Sequence, residues 1–436
     1  MHKIVLLLKF HLIMRISTSL LCLVLLPFIL SATEPEKKIR CAHTEHIEFL
    51  KSRNPDYERQ MQHDEAVLQE YIDRSAVNRA SNTIYTIPVV VHVIYKTAAQ
   101  NISNAQIQSQ IDVLNEDFAR RNADTVNTPA AFRSVASGTN FQFCLAKRDP
   151  NGAATNGIER RQTTVSSWDL DDLMKSYSTG GLDAWDVNKY LNIWVCNLGG
   201  GILGYAELPS INHANTYGVV VQYDAFGKGG VAAAPYHLGR TCTHEISHCF
   251  RLFHIWGDDF NSCTGSDNVA DTPNQSDATF GCSNWPKTDN CSSTSPGIMY
   301  MNYMDYSDDN CLNMFTINQS TRMTSSMNAY YPSLLNSDGC QDVTGIEEYS
   351  RFIDMSVYPN PSDGMITIDM LNAYNIGSEL RVRVTDAIGR VQSESLITSP
   401  NGTLHQVDLS ACESGVYFIT LYNDDYQRTE RITLSR

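Results

Sequence analysis

The chain has 436 residues, 42% of them hydrophobic and 19% charged, which suits ordinary globular folding in about two to three domains. Its 33 Lys plus Arg stand against 48 Asp plus Glu, a formal net charge of -15. No basic face is available to neutralise phosphates, so nucleic-acid binding is excluded as a function.

An apolar run from Leu20 to Leu30 follows Met14-Arg15-Ile16-Ser17 and ends at Ser31-Ala32-Thr33. Charged, apolar and small residues in that order mark an export signal, expected over 1–32. The run has roughly half the length of a membrane span, so no stable span is expected. A start at Met14 leaves the cleaner signal. Of the twelve cysteines, Cys22 falls inside the signal. Export to an oxidising compartment makes disulfide partners of some others, although spacing alone does not pair them.

From Glu34 to about Ala80 the chain is rich in charge and has helical apolar spacing, as in His46-Ile47-Glu48-Phe49-Leu50 and Ala66-Val67-Leu68. A small pro-segment is expected over 33–80. The run Ile84-Tyr85-Thr86-Ile87-Pro88-Val89-Val90-Val91-His92-Val93-Ile94-Tyr95 is too densely β-branched for an amphipathic helix and predicts a buried strand opening a new domain, 81–342. Ser103 then precedes Ile107, Ile111, Leu114 and Phe118, spaced by three and four, which predicts a capped helix packed on that strand. Further strands are expected at 141–146, 190–196 and 218–223. Gly199-Gly200-Gly201 bends the backbone before Ile202-Leu203-Gly204-Tyr205-Ala206, an edge on which extended substrate can align. The fold class is α+β.

Within 242–254, His244 and His248 are four residues apart, so a helix stacks them on one face close enough to share one metal, with Glu245 beside them. His254 can supply a third nitrogen if the helix ends and the chain turns sharply, leaving a fourth position open for a water. Zinc lowers the pKa of that water from about 16 towards about 7, and Glu245 is placed to act as general base and acid. A bare His-Glu-x-x-His arises by chance; the third histidine makes a zinc hydrolase the preferred reading. Residues 260–296 are rich in Ser, Thr, Asn, Asp and Gly, too long for a passive connection unless stapled or functional. Beyond Gly345, short alternating strands with turn residues predict a separate all-β sandwich, 350–436.

With His254-Ile255-Trp256-Gly257-Asp258 following the metal helix, Tyr190-Leu191-Asn192-Ile193-Trp194-Val195 before it and Asn302-Tyr303-Met304-Asp305-Tyr306 after it, the segment from about Ile84 to Cys340 resembles the pappalysin family of the metzincin clan. The resemblance implies a twisted mixed sheet plus metal-binding helix, and cleavage of protein or peptide substrates. It implies that Met304 forms the Met-turn floor under the metal and that Tyr306 stabilises the oxyanion. Asp309 matches a position lining a specificity pocket for Arg or Lys after the scissile bond. It further implies disulfides Cys263 to Cys291 and Cys282 to Cys311, a structural calcium with Asp267 and Thr272 as candidates, and latency through Cys41, whose thiolate would take the water's place on zinc. Self-activation is then expected just before Arg74 or Arg79. Cys242 and Cys249 are expected as buried free thiols. One departure stands out: metzincins usually have glycine where this chain has Arg251, at a left-handed turn where a side chain costs about 1 kcal/mol.

Tyr358-Pro359-Asn360-Pro361, Asp386-Ala387-Ile388-Gly389-Arg390 and Gly415-Val416-Tyr417 resemble the type IX secretion sorting domain. That implies export by the type IX machinery across a Gram-negative outer membrane, to the medium or the cell surface. Two other readings are weighed: a silent binding protein on the same fold, suggested by Arg251, and an amidase acting on non-peptide substrates. Retained Glu245 opposes the first, the Met-turn and edge strand the second.

Overall fold

The strand predicted from the β-branched run is the centre of the sheet. The computed structural model describes residues 38–75, 83–259, 261–343, 355–370, 380–397, 404–423 and 427–436. The expected signal over 1–32, the start at Met14, Cys22 and Arg79 lie outside the described residues. Two helices come first, α1 (His43–Arg53) and α2 (Tyr57–Ser75). They are followed by β1 (Tyr85–Tyr95), buried without interruption from Ile87 onward, as expected of a parallel strand covered on both faces.

Helix α3 (Asn104–Phe118) starts where Ser103 accepts a hydrogen bond from the Gln106 amide, and Ile107, Ile111, Leu114 and Phe118 are all buried. It makes the crossover that parallel pairing requires. After the short β2 (Ala136–Ser137) come β3 (Phe141–Leu145) and β4 (Ile158–Gln162), which pair in parallel with successive halves of β1. On the other side lie β5 (Leu191–Cys196), β6 (Gly204–Ala206) and β7 (Gly218–Gln222). The order is β3-β1-β5-β7-β6, with β4 also on β1, and β6 is the antiparallel edge. Helix α4 (Arg240–Cys249) packs against β6 and β7.

From 261 to 308 the described chain has neither helix nor strand, and Cys263–Cys291 and Cys282–Cys311 staple it. Then β8 (Phe315–Thr316) leads into α5 (Ile317–Tyr330) and α6 (Pro332–Leu335). A third disulfide joins Cys144 of β3 to Cys340. Cys242 and Cys249 are buried and unpaired.

Residues 355–436 contribute β9 (Met355–Tyr358), β10 (Met365–Met370), β11 (Leu380–Asp386), β12 (Val391–Ile397), β13 (Leu404–Asp408), β14 (Gly415–Tyr422) and β15 (Gln427–Leu434). They form two antiparallel sheets, β13-β10-β9 and β12-β11-β14-β15. Alternate residues of both, among them Ile366, Ile368, Val382, Val384, Ile419 and Ile432, share one apolar core, as in a sandwich. No helix among the described residues is long and apolar enough to cross a membrane.

Candidate metal centre

Helix α4 begins at Gly239, whose φ of 79° requires a residue without Cβ strain, and every one of its ten residues is buried. Its first turn is fixed by charge: Arg240 is 2.8 Å from Asp117 of α3 and 3.0 Å from Asp124, and it donates to the carbonyls of Asp309 and Leu312. Thr243 and Tyr303 each donate to Asp117 at 2.9 Å. Burial pushes the Asp117 carboxyl up to about 6, against the opposing pull of Arg240.

One turn on, His244 and His248 share a face, their Nε2 atoms 3.2 Å apart. The helix stops after Cys249 and Arg251 takes φ 71°, the left-handed conformation expected at this position. The chain reverses and brings His254 back, its Nε2 3.3 Å from that of His244 and 3.1 Å from that of His248. The Nδ1 atoms are all engaged elsewhere: His244 with the Tyr303 carbonyl at 2.7 Å, His248 with the Leu252 carbonyl at 2.8 Å, His254 with the Asp258 carboxylate at 2.8 Å. These acceptors oblige each Nδ1 to carry the proton, so three Nε2 lone pairs face one another. Burial holds His244 and His248 well below the usual imidazole range, so they stay neutral. Nε2 lone pairs arranged this way repel unless a cation lies between them, and the donor set suits a divalent ion with an open position.

Cys41 Sγ is a fourth donor, 3.6 Å from His248 Nε2, and all four ligand atoms lie within 4.8 Å of one another. The thiol also donates to Glu245 Oε2 at 3.4 Å. Glu245 Oε1 is buried with no hydrogen-bond partner, and burial pushes this carboxyl up. A Cβ on Gly204 would come within 2.8 Å of Glu245 Cγ, so the edge strand needs glycine there for the carboxylate to fit.

Tyr306 donates to the Cys41 carbonyl at 3.1 Å, and its ring lies 5.0 Å from that of His254. Met304 is fully buried, directly after the Tyr303 carbonyl that holds His244. Asp309 is also buried, not in an exposed acidic turn: it accepts from the Leu238 amide at 2.8 Å and faces Arg40 Nη1 at 2.8 Å. Thr272 donates to Asp267 at 2.7 Å. Burial pushes the Asp267 carboxyl up to about 6, which a cation there would reverse.

Sequence reasoning missed the other side chains that residues 38–46 bring to this place. Ile39 pairs in parallel with Ile202, and Ala42 donates to the Gly204 carbonyl, so the segment runs along the edge of β6. His43 stacks on His248 at 4.0 Å, and His46 is 3.0 Å from Asp172.

A three-histidine turn at the end of a buried helix, beneath a mixed sheet with an antiparallel edge strand, defines a metzincin-type metallopeptidase. The family profile described as Pregnancy-associated plasma protein-A matches residues 179–328, and one described as Secretion system C-terminal sorting domain matches 356–435. An extracellular metalloprotease of Arthroderma otae is 30% identical over 250 residues, covering 56% of this chain and 78% of that protein. One from Arthroderma benhamiae is 33% identical over 267 residues, 59% of this chain and 78% of that protein. Among solved structures, a point mutant of Tannerella forsythia promirolysin is 46% identical, covering 68% of this chain and 96% of its own, with a TM-score of 0.62. Mature mirolysin of the same organism, in complex with a cleaved peptide, is 52% identical over 59% of this chain and 98% of its own, with a TM-score of 0.57. The chain belongs to the pappalysin family, is a metalloendopeptidase, and carries a secretion-system sorting domain at its C-terminus.

Proposed function

We propose that the chain is a secreted zinc endopeptidase in which His244, His248 and His254 hold the ion and Glu245 carries the proton. The observation that supports this most strongly is the set of three facing Nε2 atoms at 3.1–3.3 Å, each with its Nδ1 already committed. Zinc held by these three imidazoles would supply Lewis acidity to the scissile carbonyl and to a water. Glu245 accepts that water's proton and passes it to the leaving amide nitrogen. Tyr306 makes to the Cys41 carbonyl the donation it would make to the oxyanion, and Met304 provides the apolar floor. The test is casein cleavage by processed wild type and Glu245→Ala, with metal content measured on both. Loss of cleavage with zinc retained is expected; cleavage by the variant, or a wild type without zinc, overturns the reading.

The chain is made latent by Cys41 and prefers Arg or Lys after the scissile bond. Supporting this, Cys41 Sγ sits among the three imidazoles while its neighbour Arg40 fills the Asp309 pocket. Self-processing falls just before Arg74, in the last turn of α2, or before Arg79. N-terminal sequencing of matured protein and of library products decides both points. Calcium binds at Asp267 and Thr272, supported by a buried carboxylate that accepts from the Val269 amide and the Thr272 hydroxyl. The sorting domain passes the protein to the type IX machinery of a Gram-negative bacterium, for release or retention at its surface.

A further inference from the structure

Arg251, the departure from glycine, reaches away from the metal and under α2. Its Nη1 donates to the Pro209 carbonyl at 2.7 Å, its Nη2 to the Met61 carbonyl at 3.1 Å and its Nε to Glu65 Oε2 at 3.1 Å. Arg322 of α5 grips the same carboxylate, with Nη1 2.7 Å from Oε1 and Nη2 2.8 Å from Oε2. Asn268 donates to Oε1 at 3.3 Å. Both guanidiniums are almost completely buried, and among the described residues Glu65 is the carboxylate paired with either.

When residues 57–75 leave, what orients the guanidiniums stays behind. Arg251 keeps the Pro209 carbonyl, and Arg322 Nε keeps the Arg251 carbonyl at 2.9 Å. Two planar forks then converge on one vacated position with no carboxylate among the described residues left in ion-pair contact, an arrangement that binds carboxylate in two-pronged fashion. We propose that Arg251 and Arg322 form a carboxylate-binding exosite of the processed peptidase, filled by Glu65 before processing and by an acidic side chain on a helical peptide afterwards. The proposal rests on reading 33–80 as a removable pro-segment.

The probe is a labelled peptide of residues 55–75, added to processed wild-type enzyme whose metal site is blocked by a hydroxamate. It lacks Arg40 and Cys41 and so has nothing to place at the metal or in the Asp309 pocket. Saturable binding is expected, with the Glu65→Gln peptide weaker by at least about tenfold, the order expected of a charge-assisted pair. An Arg322→Gln enzyme should bind both peptides equally weakly. Equal affinity of the two peptides for wild-type enzyme, or no saturable binding, overturns the exosite without touching the catalytic reading. N-terminal sequencing separates the other failure: a processed chain still beginning before residue 57 removes the pro-segment reading and the exosite with it.

Discussion

Arg40 Nη1 lies 2.8 Å from Asp309 Oδ1, and neither side chain reaches solvent. Breaking a buried pair by removing one partner leaves an uncompensated charge and costs about 3–5 kcal/mol. Asp309→Ala should therefore loosen residues 38–46 in the unprocessed chain. In the processed enzyme it should abolish selection for Arg and Lys after the cut while leaving metal content unchanged. Limited proteolysis reads the first effect and product sequencing the second; an unaltered preference would remove Asp309 from the pocket.

Cys41→Ala removes the donor that completes the four-atom cluster and leaves Arg40 in place. Full-length variant is expected to show peptidase activity without the lag of wild type, while the processed forms, which lack residue 41, are identical. Equal lag times would show that Arg40 and α2 suffice for latency.

Exchanging Glu245 for Gln keeps the side chain's size and removes its basicity. Loss of a positioned general base lowers kcat by about 10²- to 10⁴-fold, and zinc stoichiometry should not change. Chelation of wild type should lower Tm as well as activity, because it leaves the three Nε2 lone pairs facing one another. A chelated protein with unchanged Tm would mean that the imidazoles separate freely.

Arg251→Gly acts unequally on the two forms. It relieves about 1 kcal/mol of left-handed backbone strain in both, but in the full chain it also removes the bonds to Met61 and Glu65. Tm of the full-length chain should fall by more than that of the processed form. Equal shifts would place the role of Arg251 entirely within the turn.

Burial raises the Glu65 carboxyl, but hydrogen bonding to Arg322 and the charges of both arginines outweigh it and hold the group below its ordinary value. The sign follows from linkage: a carboxyl depressed in the docked state contributes its full stabilisation above the free value of about 4.3 and loses it as pH falls through the docked value. Protease susceptibility of α2 should stay flat from neutral pH to about 5 and rise below about 4. Glu65→Gln should be susceptible throughout and lose this component.

Periodicity carried far in this chain, and its failures have physical causes. The run 84–95 and the Ser103-capped helix were legible because their side chains are buried on regular faces. Strand β4 was not, because Ile158-Glu159-Arg160-Arg161-Gln162 is partly exposed at the sheet and spends its arginines on backbone carbonyls of distant segments. Helix α5 hid in a polar run: only Met323, Met327 and Tyr330 mark its buried stripe, and its capping box uses Thr316 with Gln319. The three histidines and Glu245 were legible because one helix and one turn bring them together. Arg40 with Asp309 and Arg251 with Glu65 join positions 269 and 186 residues apart, which no local pattern reports.

The bridge from Cys144 to Cys340 has a mechanical meaning. Residue 340 is almost the last of the peptidase portion, and Arg148 also grips the carbonyls of Gln341 and Asp342. A pull on the sorting domain, from export machinery or from an anchored surface, reaches this covalent tie first and passes through β3 into the middle of the parallel sheet. Such a load is shared at residue 340 between the disulfide into β3 and the backbone into α6 and α5, instead of falling on the backbone alone.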